Sequence, residues 1–259
     1  MDLKLQNKVI IVTGGSKGIG NGICNQLAKE GAIPVIIGRN KKDILKAVKE
    51  IESRNQKVFH AYAELTNHKE CKAAIDKVII KFGKIDGIVN NAGINDGVGL
   101  ENGSYKDFMN SIKKNLVHYY LIAHYSLPEL KKSKGVIVNI SSKTASTGQG
   151  NTSGYAASNG GRNALTREWA LELLPYSIRV NSVIVAECFT PLYKKWIKTF
   201  PDPEKKIKEI TDKIPLEKRM TTKNEIANMV VFLLSERSSH TTGQLIFVDG
   251  GYTHLDRAL

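Results

Sequence analysis

Between the apolar run Val9-Ile10-Ile11-Val12 and a helical pattern carrying Ile23, Leu27 and Ala28 lies the stretch Thr13-Gly14-Gly15-Ser16-Lys17-Gly18-Ile19-Gly20. Residues of these types in this place read as strand, turn and helix. Glycines let the backbone bend sharply and approach a ligand closely, and the free N–H groups heading the next helix suit the oxygens of a pyrophosphate. The stretch is a candidate nucleotide site. Two cations join it. Arg39 ends the second apolar run, Val35-Ile36-Ile37-Gly38-Arg39-Asn40, where an arginine can pair with a ribose 2′-phosphate and a carboxylate would instead bond a 2′-OH. Lys17, inside the turn, adds positive charge toward the same phosphate. Together they favour NADP, with NAD the alternative. Farther on, Glu64-Leu65 offers a carboxylate to an adenine amino group, and Asn91-Ala92-Gly93 gives small residues against which a flat ligand can lie.

These residues need a scaffold to bring them together. Runs rich in Val and Ile near residues 8–13, 33–38, 57–62, 86–90, 135–141, 178–184 and 244–249 alternate with longer amphipathic segments. That alternation predicts an α/β protein: one doubly wound Rossmann-type domain, with a parallel seven-stranded sheet, right-handed crossovers and helices on both faces. The irregular region is about 186–222, where Pro191, Pro201, Pro203 and Pro215 punctuate helical stretches at 192–199 and 204–213. It reads as a substrate lid, or as a static helical excursion.

The 259 residues, 41% of them apolar, are enough for a single domain with a large core. Lys and Arg number 38 against 25 Asp and Glu, a net charge of +13. The lysines are scattered, as at Lys41-Lys42, Lys113-Lys114 and Lys205-Lys206, and no basic stripe with interleaved aromatics appears, so nucleic acid is not an expected partner. Cys24, Cys71 and Cys188 are odd in number and far apart, which argues against a disulfide framework and against a metal site. No apolar run reaches the ~18 residues that span a bilayer, so no membrane partner is expected and a cytoplasmic location is.

Taken together, Thr13-Gly-x-x-x-Gly18-x-Gly20, Asn90-Asn91-Ala92-Gly93, Asn115 and Val138-Asn139-Ile140-Ser141-Ser142 resemble the short-chain dehydrogenase/reductase family along the whole chain. The resemblance implies cofactor contacts at Gly14, Ser16, Gly18, Ile19 and Gly20, and at Thr190, whose counterpart meets the nicotinamide carboxamide. It makes Ser142 the holder of the substrate oxygen and Tyr155 the general acid/base that exchanges a proton while hydride passes to or from nicotinamide. A phenol with its ordinary pKa of about 10 needs a nearby cation to serve at neutral pH. The family supplies a lysine one helical turn after the tyrosine, which also bonds the nicotinamide ribose. Here that position is Asn159, which can donate to ribose but carries no charge.

Three readings follow. The enzyme works with a charge taken from the oxidised nicotinamide or from Lys143; it is impaired, naturally or by a Lys→Asn change; or it is a cofactor-binding protein that kept the fold. Asn115 resembles the helix asparagine that holds a water between the family's lysine and solvent, or is purely structural.

A closer resemblance is to the L-fucose dehydrogenase-like branch, through Asn95-Asp96-Gly97, His118-Tyr119-Tyr120, the segments from Ser141 to Asn151 and from Glu187 to Thr199, and the tail from Val248 to Leu259. It implies oxidation of a pyranose at its anomeric carbon to a lactone. Asn95, Lys143, Gln149 and Glu187 then offer donors and acceptors for ring hydroxyls, and Trp196 a face for the sugar to stack on. The alternative is a ketoreductase or alcohol dehydrogenase acting on a less polar carbonyl. The family also implies a homotetramer built on the tyrosine-bearing helix and on the segment from Asn224 to Asp249.

Overall fold

The computed structural model describes residues 1–255; the last residues of the resembling tail, Asp256-Arg257-Ala258-Leu259, lie outside them. Val9–Thr13, four of its five residues β-branched aliphatics, forms β1 and is buried throughout. Ile10 and Val12 face one side of the sheet, and Val9 and Ile11 face the other. A strand buried on both faces needs helices on both, and the remaining strands follow: β2 Ile33–Gly38, β3 Phe59–Tyr62, β4 Gly87–Asn90, β5 Val136–Ser142, β6 Arg179–Val185 and β7 Leu245–Val248. All pair in parallel, in the order β3-β2-β1-β4-β5-β6-β7. The predicted seven-stranded doubly wound sheet is what forms.

The helices are α1 Gly18–Lys29, α2 Lys41–Glu52, α3 His68–Phe82, α4 Tyr105–Ile112, α5 His118–Ser133, α6 Ser153–Glu172, α7 Pro191–Ile197, α8 Pro203–Thr211 and α9 Lys223–Leu234. Short polar side chains start many of them: Asn40, Ser104 and Thr222 accept backbone N–H bonds from the first turns of α2, α4 and α9. Ile23, Leu27, Ile44, Ile51, Ile226 and Val230 pack on one face, and Cys71, Ile75, Tyr119, Ile122 and Trp169 on the other. Each fully buried aliphatic contributes about 1.5–3 kcal/mol relative to exposure. Among the described residues, no helix is long and apolar enough to cross a membrane, and no group of acidic, His and Cys side chains is placed to hold a metal ion.

The strand order reverses between β1 and β4, and the carboxyl ends there splay into a crevice. The excursion at 186–222 rises beside it and carries α7 and α8. Its two ends meet: Thr221 N–H donates to the Glu187 carbonyl at 3.0 Å, and Cys188 bridges to Thr221.

Candidate active site

The crevice holds a cleft of about 530 Å³ running from Gly14, Lys17 and Arg39 to Ser142, Tyr155 and Thr190. Its floor joins the ends of β1 and β4. Thr13 Oγ1 accepts from the Asn91 and Ala92 N–H groups at 2.9 and 3.1 Å, and Asn91 Nδ2 donates to the Thr13 carbonyl at 2.9 Å. Gly14, at φ +66°, has no room for a side chain: a Cβ would stand 3.1 Å from Ala92 Cα. At the head of α1, Lys17 is extended and no side chain caps the first N–H groups. Those groups and the bare glycine backbone fit the pyrophosphate of a dinucleotide. Ser16, Gly18 and Ile19 line the same wall, with Ala92 and Gly93 opposite. Gly20 does not line the cleft; it packs against the Gly14 carbonyl, where a Cβ would come within 2.4 Å.

The two cations read as phosphate partners are each already paired. Lys17 Nζ lies 2.6 Å from Asp43, and Arg39 Nη1 lies 2.8 Å from Glu64. Glu64 also accepts from Thr66, and these contacts hold its carboxyl below the usual range against the opposing effect of burial. Leu65 packs on the core instead of the cleft. Cys188 is on the wall, but burial pushes its thiol up to about 12, so it stays protonated.

At the other end of the cleft, Ser142 closes β5 and caps the next short turn, its Oγ accepting from the Thr144 N–H at 3.3 Å. Tyr155 reaches the wall from the first turns of α6. Asn159, one turn on, is fully buried, and its Nδ2 donates to the Tyr155 carbonyl at 2.8 Å. The Asn159 amide, expected at a ribose, thus bonds within the protein here.

The partner of its oxygen is a residue that sequence reasoning missed. Arg162, 2% exposed, donates from Nη1 to Asn159 Oδ1 at 2.8 Å and to the Ile140 carbonyl at 3.2 Å. Its Nε and Nη2 both donate to the Asn115 carbonyl, at 2.7 and 2.5 Å. That carbonyl belongs to a π turn, Lys113–Val117, inserted between α4 and α5. The Asn115 side chain accepts from Ile94 N–H at 2.7 Å and donates to the Ser111 carbonyl at 3.0 Å, so it ties the β4 loop to the helix. Tyr155, Asn159 and Arg162 at helical spacing on one face were the available signal.

Of the substrate candidates, Lys143 and Glu187 meet: Nζ and Oε1 form a close ion pair, nine-tenths and about six-sevenths buried at their side chains. Lys143 Nζ also sits 3.8 Å above the Tyr252 ring. Lys143, a candidate cation for Tyr155, is thus already paired with a carboxylate. Glu187 in turn faces Tyr193 and, with burial the larger cause, raises its phenol above the ordinary value. Asn95 and Gln149 are exposed, Asn95 accepting only from Gly97 N–H at 3.3 Å. Trp196 stands edge-on between Tyr193 and Phe200, at 5.1 and 4.9 Å between centroids. None of these five lines the cleft itself. Thr190 does; it also caps α7, accepting from Tyr193 N–H at 3.2 Å.

A second hollow, about 660 Å³ at the amino ends of the strands, has its charges satisfied internally: Asp86 pairs with Lys8 and Lys84, and Arg179 donates to the carbonyls of Leu233 and Ser235. It offers no convergent acid/base set.

Residues 14–253 match the sequence model of a family described as enoyl-(acyl carrier protein) reductase. The chain is a short-chain dehydrogenase/reductase. Its relatives within that family differ in the chemistry their names carry. The 3-oxoacyl-[acyl-carrier-protein] reductase FabG of Thermotoga maritima is 34% identical over 96% of this chain and 99% of its own. An L-fucose dehydrogenase of Bos taurus is 33% identical over 97% of this chain and 91% of its own. Among solved structures, that of Cj0485 dehydrogenase superposes with a TM-score of 0.95 at 47% identity, covering 100% of this chain and 99% of the other. Its family membership makes it an oxidoreductase of the short-chain type.

Proposed function

We propose that this short-chain dehydrogenase oxidises an aldose, L-fucose or a close relative, at the anomeric carbon to the lactone, with NADP preferred over NAD. The observation that carries the reading is the buried Lys143–Glu187 pair, which does not itself line the cleft but whose lysine follows Ser142 in the chain and whose carboxylate faces Tyr193 of the cleft wall. Withdrawing two charges from water is unfavourable without dense polar contact, and a polyhydroxylated ring supplies such contact where a fatty-acyl chain does not. Kinship to an L-fucose dehydrogenase at 33% identity supports the same choice.

In this reading Ser142 holds the C1 hydroxyl and Tyr155 receives its proton. A bound nicotinamide would supply the acceptor for the C1 hydride, so that loss of this hydride and of the proton taken by Tyr155 would turn the C1–O bond into the lactone carbonyl. Thr190 and the Asn91–Gly93 segment would hold the nicotinamide, and Arg39 and Lys17, now paired with Glu64 and Asp43, would hold a 2′-phosphate. The excursion at 186–222 serves as the substrate lid, the cytoplasm is the proposed location, and the subunits assemble as a homotetramer.

The second reading, reduction of a less polar carbonyl, draws on the FabG relative and on the half-exposed Phe189 and Leu192 of the excursion. The deciding assay follows reduced-nicotinamide absorbance with NADP and then NAD, each with L-fucose and related aldoses, near pH 7 and pH 10. Reduction of the cofactor by an aldose is the expected result. No signal with any sugar, with nucleotide binding verified separately, removes the sugar dehydrogenase, and oxidation of NADPH by a ketone panel then establishes the second reading.

A further inference from the structure

The buried face of α6 carries a cation in an unusual state. Arg162 is enclosed, yet among the described residues no carboxylate pairs with it; its bonds go to the Asn115 and Ile140 carbonyls and to the Asn159 amide. A guanidinium enclosed among neutral acceptors alone is costly to bury unless an anion forms nearby. Two phenols lie beside it: Tyr119, its ring centroid 4.3 Å from Arg162 Cζ and its hydroxyl already donating to the Ile140 carbonyl, and Tyr155, its ring centroid 5.9 Å away on the wall of the cleft. We propose that Arg162 supplies the positive charge on which the Tyr155 phenolate forms, in place of the absent lysine, with Asn159 and the Asn115 carbonyl holding the guanidinium in position. Arg162 is thus a positioning residue. The assignment rests on the dehydrogenase reading for the use of the phenolate, but not on any particular substrate.

Three features of the surroundings fit this role. π turns gather at functional sites; Asn115 lies in one, and Arg162 donates to its carbonyl with two N–H groups. Gly93 supplies the room: a Cβ there would lie 2.8 Å from Arg162 Nη2, so the guanidinium rests against the same backbone that lines the cleft. Other titratable groups facing the arginine are uncharged. On α5, His118 is pushed down to about 3 by burial and by Arg162, and Tyr119, whose ring lies 4.3 Å from Cζ, is raised by burial. Lys17, Arg39 and Lys143, the other cations around the cleft, each pair with a carboxylate.

The test needs no substrate. With 13C at Cζ of all nine tyrosines, the NMR line lost in Tyr155→Phe reports ionisation of Tyr155, in the protein alone and with NADP added. In Arg162→Met the midpoint of that titration is expected about one to two pH units above wild type, the effect of losing one opposite charge within about 6 Å. Adding Asn159→Lys to Arg162→Met puts a cation back at the family's usual place and is expected to lower the midpoint again. An unchanged midpoint in Arg162→Met overturns the proposal. Arg162→Gln, which keeps part of the hydrogen bonding, gives the same comparison if the methionine variant fails to fold. A parallel kinetic series on whichever substrate turns over is expected to show Arg162→Met slowed ten- to a hundredfold near pH 7 and recovering toward pH 10. Failure of every sugar to react would remove the proposed substrate and leave the NMR result standing.

Discussion

A lysine placed at residue 159 of the wild-type chain would meet the Arg162 guanidinium that now bonds Asn159 Oδ1. From sequence alone, Asn159→Lys promises faster turnover near pH 7. Beside Arg162, however, the substitution removes an acceptor and adds a like charge in the interior. A loss of about 1–3 kcal/mol is expected, with no gain in rate, checked by denaturant midpoint and by kcat near pH 7. The Lys143–Glu187 pair invites a different comparison. Removing one partner leaves an unpaired, largely buried charge, so Glu187→Gln is expected to destabilise the fold by about 3 kcal/mol. Replacing both, as Lys143→Met with Glu187→Leu, restores stability while raising KM for the best sugar at least about tenfold, and an unchanged KM would detach the pair from substrate binding. At Arg39 the choice is between nucleotides: Arg39→Ala is expected to raise KM for NADP about tenfold and leave that for NAD within about twofold, read from initial rates.

Elements explain which of these features a sequence can show. Continuous Val/Ile runs such as Val9–Thr13 announce buried parallel strands without help from tertiary structure, and the gap at Asn159 is visible because the tyrosine and its missing lysine share one helix. The compensation is invisible at that level. An arginine on α6 looks like any solvated cation until the π turn of Lys113–Val117 brings the Asn115 carbonyl across to it. The Lys143–Glu187 pair joins the ends of two neighbouring strands far apart in the chain, and both residues read singly as loop polar groups. Helix α5 adds a pH consequence. His118, buried beside Arg162, has its pKa lowered to about 3 in the folded state, against about 6.5 when unfolded. The unfolded chain therefore takes up the proton first as pH falls. His118's contribution to stability is complete above about pH 6.5 and is lost on the way down to about pH 3. His118→Gln is expected to shrink the difference in urea midpoint between pH 7 and pH 5, and an unaltered acid slope would show that other groups govern it.

For the whole molecule, the proposed tetramer has to overcome the chain's own charge. Each subunit carries +13, so four of them repel one another unless apolar faces and salt offset the field. Apolar side chains are exposed on the tyrosine-bearing helix and also on α5. Tyr120, stacked on His124, is 51% exposed on α5, Leu171 is 68% exposed on α6, and β7 is the open edge of the sheet. At an ionic strength of about 0.15 M charges are screened beyond roughly 8 Å, which leaves the buried apolar area to decide. Light scattering on a sizing column is then expected to give four times 28.6 kDa at that salt and a smaller species as salt is lowered. Tyr120→Glu combined with Leu171→Glu adds charge to these two exposed faces without touching the cleft, and is expected to yield the smaller species at every salt concentration. A wild-type chain that elutes as a monomer throughout would remove the tetramer and leave the exposed faces of α5 and α6 as ordinary surface.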